Sequence, residues 1–224
     1  MVLKPFSDDD DINQFFDEQS ERFDNNVVRA RELVRLSKRL AENEDIFSST
    51  NNKEVVISDI LRSAVVFLHA TLEDFLRSVE IILLPYCDEA ALNNIPLVGT
   101  NPVKPFLLGK LAAHREKSIL NLIRESVAES LLKRTYNNTS DIAKLLESVG
   151  LSVDEARRWF NQLDALIKRR HQIVHRADRI QREEIEPITA RQVDEWISTV
   201  NDFITNVIAD VGEKWGVEPL NEDL

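Results

Sequence analysis

Apolar residues recur at helical spacing through most of this chain, and no stretch alternates apolar and polar residues as a strand would. The residues from Phe106 to Glu186 include no proline, so helices can follow one another there without a break. The pattern predicts helices over about 12–43, 55–84 and 117–134, a short one ending near Val149, one from Ser152 to about 180, and a last one opening at Thr189. The predicted fold is all-α: a single bundle of four to five main antiparallel helices, with a Pro-rich irregular connection after the second.

Local signals mark several of the predicted helix ends. Pro85 stops the second helix, the run NNTSD is typical of a helix N-cap, and Gly150 follows the end of a short helix. Ser152 with Glu155, and Thr189 with Gln192, have the spacing of capping boxes. The last apolar stripe ends at Val211, so the sequence predicts one helical domain over residues 1–211 and an acidic C-terminal tail over residues 212–224.

Composition excludes several classes of site. The five glycines are too widely spaced for a glycine-rich phosphate-binding loop. One cysteine, Cys87, allows neither an internal disulfide nor a cysteine-based zinc site, and it has no electropositive sequence neighbour to activate it. No uninterrupted apolar run approaches the roughly 18 residues of a membrane span, and the N-terminus does not resemble a secretory signal. We therefore expect a cytoplasmic protein without a membrane partner.

The charge is unevenly distributed along the chain. The protein carries a net charge of −11, yet residues 151–182 include 8 basic and 4 acidic side chains. An acidic protein is not expected to coat nucleic acid non-specifically, but a localised site for a phosphodiester remains open. The alternative is that the basic stretch is a solvated helix face.

The segment 168–178 within this basic stretch combines charge with an apolar helical arc. At 100° per residue, Arg170 falls in the middle of the arc that Leu163, Leu166, Ile167, Ile173 and Val174 define. His171 and His175 share one flank with Asp164 and Asp178. A charge inside a packing stripe is costly unless it is paired or faces a ligand or another chain, so this conflict indicates a functional site.

Three interpretations of these residues are open. Arg170 could bond a helix end or a carboxylate inside the bundle while the histidines stay exposed. His171 and His175, at i and i+4, could share a metal ion, although the sequence identifies no third ligand. Alternatively, a histidine could move a proton on a phosphodiester while the guanidinium stabilises the transition-state charge.

The run from Arg170 to His175 resembles the R-x4-6-H signature of the HEPN superfamily of all-helical ribonucleases and nucleotide-associated proteins. The segments ATLEDFLRSVE (70–80) and RRHQIVHRAD (169–178) are most similar to its RiboL-PSP and MAE-type subgroups. A second nominal match, Arg62 to His69, lacks this setting, because Ser63 follows the arginine and Arg62 lies near the start of the second predicted helix.

The resemblance implies a metal-independent endoribonuclease without a cofactor, which leaves a 2′,3′-cyclic phosphate and a 5′-hydroxyl. It implies His175 as general base or acid, Arg170 as the clamp on the scissile phosphate, and His171 as an orienting or RNA-contacting residue. It also implies a homodimer with two copies of the motif across a cleft. Expected RNA phosphate contacts are Lys168, Arg169, Arg176 and Arg179.

One residue of the first matching segment, Glu73, has two interpretations. It could approach the motif as an auxiliary group that tunes a histidine, or it could form an exposed i,i+4 pair with Arg77.

The resemblance implies a toxin or effector of bacterial defence or stress response, with RNA and an antitoxin or other defence-system protein as partners. The alternative is a non-catalytic HEPN-like module that binds RNA, nucleotide or a protein partner. Only the enzyme requires Arg170 and His175 to meet at one cleft that solvent can reach.

Overall fold

Helices account for nearly all regular structure in the computed structural model, which describes residues 9–43, 52–99, 108–179 and 185–216. In chain order the helices are α1 (Asp9–Glu42), α2 (Lys53–Leu83), α3 (Glu89–Leu92), α4 (Ile119–Leu131), α5 (Thr139–Ser148), α6 (Val153–Arg176) and α7 (Ala190–Trp215). The long helices α1, α2, α6 and α7 pack together, and α4 and α5 lie against α2 and α6. The predicted all-α fold is confirmed.

Helix α2 is the central element, because it contacts α1, α4, α6 and α7. Its buried side includes an apolar stripe that runs from Leu61 to Leu83, as the helical periodicity predicts. The stretch Lys53–Tyr86 also has the length and composition of a membrane span, with a mean hydropathy of 1.7 over its best window. The expectation from the sequence concerned an unbroken apolar run, which charged residues such as Arg62 and Glu73 interrupt in α2; 39% of the best window is buried inside the bundle.

The predicted caps form at two of three helix starts. The side chains of Asn138 and Thr189 accept hydrogen bonds from the backbone N–H groups of Asp141 and Gln192. Ser152 forms no side-chain cap on α6. Its backbone N–H instead donates a 2.5 Å hydrogen bond to Asp210 Oδ2, so the start of α6 is joined to α7.

Two helices end elsewhere than the sequence suggests. Helix α6 stops at Arg176, not near residue 180, because Ala177 (φ 49°) and Asp178 (φ 61°) adopt left-handed backbone conformations. Helix α7 continues past Gly212 to Trp215, whose indole N–H donates to the Val149 carbonyl at 3.1 Å. The predicted tail therefore begins inside a helix, and residues 217–224 lie outside the described part of the chain.

In its described residues, the connection after α2 contains 3₁₀ turns at Leu84–Tyr86 and Leu108–His114 as well as the short helix α3. Pro85 lies in the first of these turns. The part that carries Pro102 and Pro105 lies outside the described residues, so the Pro-rich connection as a whole stays a prediction.

Candidate active site

The C-terminal half of α6 lines one side of a pocket of about 670 Å³. Its lining combines two histidines, two cations and two amides with one apolar side chain: Asn137, Ile167, Lys168, His171, Gln172, His175 and Arg176. The rings of His171 and His175 lie 4.4 Å apart between centroids and are inclined at 45°, and both residues are exposed. Two imidazoles are thus held together where solvent and a ligand can reach them.

Helical spacing explains why these side chains converge. Residues three and four apart lie on one face, which groups Lys168, His171 and His175. His175 and Arg176 occupy the last turn, where positive charge interacts favourably with the helix dipole. With Lys168 also exposed at this pocket, its wall favours an anionic ligand.

The acidic residues expected on this flank do not pair with the histidines. Asp164 accepts hydrogen bonds from the backbone N–H (3.0 Å) and the hydroxyl (3.1 Å) of Thr139 at the start of α5. Asp178 is buried on another side of the helix end. Neither carboxylate accepts a hydrogen bond from His171 or His175 in the described structure, so the pocket keeps its positive character.

Arg170 is half-buried between α6 and α2, as its position in the apolar arc suggests. It is close enough to His69 that its charge lowers the pKa of that imidazole, and its own Nε is buried without a hydrogen-bond partner. Arg170 is not among the residues that line the pocket of His175. The two motif residues therefore occupy different environments within one protomer.

His69 faces Arg170 from α2 and is 1% exposed. Both of its ring nitrogens are buried, and Glu73 Oε2 lies 3.5 Å from Nδ1. Burial lowers the pKa of His69; the Glu73 carboxylate raises it and Arg170 lowers it further, with burial the larger effect. A neutral imidazole is thus favoured beside the Arg170 guanidinium.

Glu73 faces the bundle and does not form the exposed pair with Arg77. Its Oε1 accepts a 3.0 Å hydrogen bond from the Tyr136 backbone N–H. Arg77 donates to the Arg134 carbonyl at 2.7 Å instead. Glu73 approaches the motif region through His69, which is not one of the two pocket histidines.

The structure does not support Arg169 as an RNA contact, although the sequence analysis expects it to be one. This residue is 4% exposed, and its guanidinium forms 2.7 Å ion pairs with both Asp178 and Glu186. Residues 185–187, which precede α7, cover the Arg169 side chain. The apolar arc of α6 alone does not predict this burial. The other expected phosphate contacts, Lys168, Arg176 and Arg179, are exposed.

In the second nominal motif, Arg62 to His69, the arginine has a structural role. Arg62 forms an ion pair with Asp178 at 2.6 Å and has only 12% of its side chain exposed. His69, its nominal partner, is buried. Arg62 lines a separate pocket beside Asp59 and Ser63, but the burial of His69 means that the two residues share no site open to solvent.

The roles of three residues of this region were not predicted from the sequence. Asn137 reaches the pocket from the loop before α5, so tertiary structure alone identifies it. Gln172 follows His171 directly and shares its pocket. Asp178 ends the RRHQIVHRAD stretch, but no sequence signal identifies its helix-ending role, because the pattern predicts a helix that continues to about residue 180.

Two observations bear on other chemistry. Burial, with the nearby Asp88 charge, raises the pKa of the Cys87 thiol to about 11, so it is a poor nucleophile at neutral pH. Among the described residues, no group of three or more His, Cys, Asp or Glu side chains has the arrangement of a metal site.

A family model described as RiboL-PSP-HEPN matches residues 24–212. The match begins within α1 and ends within α7, so it includes the whole of α2, the pocket and the motif on α6. No curated protein and no solved structure matched the chain. Because the matched region covers most of the sequence, the chain belongs to the RiboL-PSP-HEPN family of the HEPN superfamily.

Proposed function

We propose that this protein is a metal-independent endoribonuclease whose site is the pocket of His171 and His175. The observation that carries the proposal is the pair of exposed imidazoles, 4.4 Å apart, between the cations Lys168 and Arg176. This basic pocket lies on a protein whose net charge is −11, so attraction of a polyanion is confined to one place. The family, which includes ribonucleases, supports a nuclease in general.

Cleavage by the neighbouring 2′-hydroxyl requires no activated water. The 2′-oxygen loses its proton and bonds to phosphorus, the bond to the 5′-oxygen breaks, and that oxygen gains a proton. The products are a 2′,3′-cyclic phosphate and a 5′-hydroxyl. His175 moves one of these protons, because a histidine changes protonation state near neutral pH. His171 orients it or contacts RNA.

Arg170 is proposed to stabilise the charge on the scissile phosphate. Five residues along a helix correspond to a rotation of about 140°, so Arg170 and His175 of one protomer point to different sides of α6. We therefore propose that a two-fold dimer completes the site, with Arg170 of one protomer beside His175 of its partner. Val174, which is 48% exposed, lies between them around the helix and would supply apolar contact.

The remaining RNA contacts are proposed to be Lys168, Arg176 and Arg179, which reach the backbone phosphates of the substrate. Arg169 is not one of them, because Asp178 and Glu186 already occupy its guanidinium. We propose a cytoplasmic toxin or effector in bacterial defence or stress response, held inactive by an antitoxin or another defence-system protein.

A second candidate is a non-catalytic module that binds RNA, nucleotide or a protein. The observation that favours it is the half-buried position of Arg170 against His69, away from the pocket of His175. In that case Arg170 stabilises the bundle and the basic pocket binds without cleaving.

The decisive experiment incubates purified protein with an end-labelled RNA in excess chelator. We expect cleavage, with 2′,3′-cyclic phosphate and 5′-hydroxyl ends, and no reaction on DNA or on RNA with a 2′-O-methyl group at the scissile position. Arg170→Ala and His175→Ala should each lower the rate by about 10²-fold or more, and His171→Ala should lower it less. Arg191→Ala is the matched control, since Arg191 is exposed on α7, where it forms an ion pair with Glu195.

Two results would contradict the enzyme proposal. Binding of RNA without cleavage, unchanged by His175→Ala, would favour the non-catalytic module. Loss of cleavage in chelator and rescue by zinc would instead favour a metal site at His171 and His175.

A further inference from the structure

Asp178 lies two residues beyond the end of α6 and is completely buried. Its Oδ2 accepts hydrogen bonds from Arg62 Nε on α2 at 2.6 Å and from Arg169 Nη2 on α6 at 2.7 Å. A buried carboxylate is tolerated only where such partners offset its desolvation. Asp178 therefore joins two helices and the turn that follows α6 at one charged point.

The same two arginines hold the segment that returns toward α7. The Glu186 carbonyl accepts from Arg169 at 2.8 Å and from Arg62 at 3.2 Å, and Glu186 Oε1 pairs with Arg169 at 2.7 Å. The Glu186 backbone N–H donates to the Asp178 carbonyl at 2.9 Å. We name Arg62, Arg169, Asp178 and Glu186 the Asp178 cluster.

The cluster fixes an unfavourable turn. Ala177 and Asp178 have positive φ, a conformation that side chains other than glycine rarely adopt without support from the surrounding structure. This turn follows directly on the helical turn that carries His175 and Arg176. Without its anchor, the end of α6 would fray, as helix ends do when their caps are lost.

The cluster also reaches the wall of the pocket. Gln172, which lies beside His171 and His175, donates a 2.6 Å hydrogen bond from Nε2 to Glu186 Oε2. A continuous chain of contacts therefore runs from buried Asp178 through Arg169 and Glu186 to the surface where the two imidazoles lie.

We propose that Asp178 is a positioning residue, which holds the last turn of α6 so that His175 stays against His171. Asp178 does not touch the substrate and acts through Arg62, Arg169 and Glu186. Its effect on cleavage depends on the proposed function, whereas its effect on the two rings does not.

The test substitutes Asp178→Asn, which keeps the shape and removes the charge. In wild-type protein, ring protons of His171 and His175 should give a nuclear Overhauser effect because the rings lie 4.4 Å apart. The variant should lose this signal, and amide exchange over residues 172–178 should accelerate while α7 stays protected. On RNA, kcat should fall about 10- to 100-fold with little change in KM, since misplacement of a reacting group by about 1 Å has that effect. Asp194→Asn is the matched control, because Asp194 is an exposed partner of Lys38.

Glu186→Gln keeps the test decisive if Asp178→Asn does not fold. The Glu186 side chain is 39% exposed, so loss of its negative charge should leave the bundle intact. It should still weaken the nuclear Overhauser effect between the two rings. A folded variant with an unchanged ring signal, unchanged exchange and unchanged kcat would overturn the positioning role while wild-type cleavage leaves the enzyme proposal standing. If wild-type protein does not cleave RNA, the ring signal and the exchange rates still decide the role of Asp178.

Discussion

The imidazole of His69 lies 3.5 Å from the Glu73 carboxylate, which raises its pKa, yet the pKa of His69 is lowered because the effect of burial is larger. Because the folded protein disfavours the charged imidazole, the unfolded chain takes up a proton at higher pH than the folded one. This contribution to stability is therefore complete above the ordinary histidine pKa of about 6.5 and declines as the pH falls through that value.

A first prediction follows for His69→Leu. The free energy of unfolding of wild-type protein should decrease between pH 7.5 and pH 5.5 more than that of the variant, by up to about 1.4 kcal/mol for each unit below 6.5. Urea unfolding at the two pH values measures this difference. Equal slopes in both proteins would show that His69 does not contribute.

A second prediction concerns how the site is completed. If Arg170 of one protomer acts beside His175 of its partner, a mixture of Arg170→Ala and His175→Ala chains should regain activity after subunit exchange. One intact site then forms in each mixed dimer, which gives about a quarter of wild-type activity for random pairing in a two-fold dimer. Recovery to this level, while each variant alone stays inactive, is the expected result; no recovery would place both residues in one protomer.

A third prediction tests the dimer itself. Val174→Glu should lower the dimer affinity, because a charge would replace an exposed apolar side chain on the motif helix. Val55→Glu is a matched control, since Val55 is similarly exposed, at 53%, on α2. Light scattering across micromolar concentrations distinguishes them. A wild-type monomer, or equal behaviour of the two variants, would contradict the proposed interface.

A fourth prediction concerns Tyr136, whose hydroxyl donates a 2.7 Å hydrogen bond to Glu80 Oε2 in the bundle interior. Burial raises the pKa of Glu80, and the Tyr136 hydroxyl and Arg134 oppose that shift. Glu80 Oε1 keeps its ion pair with Arg134, but Tyr136→Phe leaves the buried Oε2 without its hydrogen bond and should therefore lower the free energy of unfolding by about 1–3 kcal/mol.

Tyr86→Phe provides the comparison for this measurement, because the Tyr86 hydroxyl accepts from Arg124 at an exposed position. A change below about 0.5 kcal/mol is expected there. Equal losses in urea unfolding would show that burial of the acceptor is not the cause.

Periodicity and capping residues were sufficient to predict the main helices but not the ends of α6 and α7, because both signals depend on contacts a few residues apart. The position of Arg170 on the packing side of α6 was predictable for the same reason. The burial of Arg169 was not, since it depends on Glu186, which the chain brings back after the helix has ended. The Glu73–Arg77 pair failed as an interpretation because tertiary partners, Tyr136 and Arg134, occupy both groups.

Helix α6 is attached to the bundle by a carboxylate at each end: Asp210 of α7 accepts from the Ser152 N–H at its start, and Asp178 accepts from Arg62 of α2 at its finish. A mutational scan for function will therefore show losses at positions remote from the pocket. Substitutions at Asp210 and Arg62 should score as harmful, as substitutions of the two pocket histidines should, although neither Asp210 nor Arg62 lines the pocket of His171 and His175. Counting sensitive positions would then overestimate the size of the proposed reacting centre. Measurements of the geometry of the two histidine rings distinguish residues that hold α6 in place from residues that take part in the reaction.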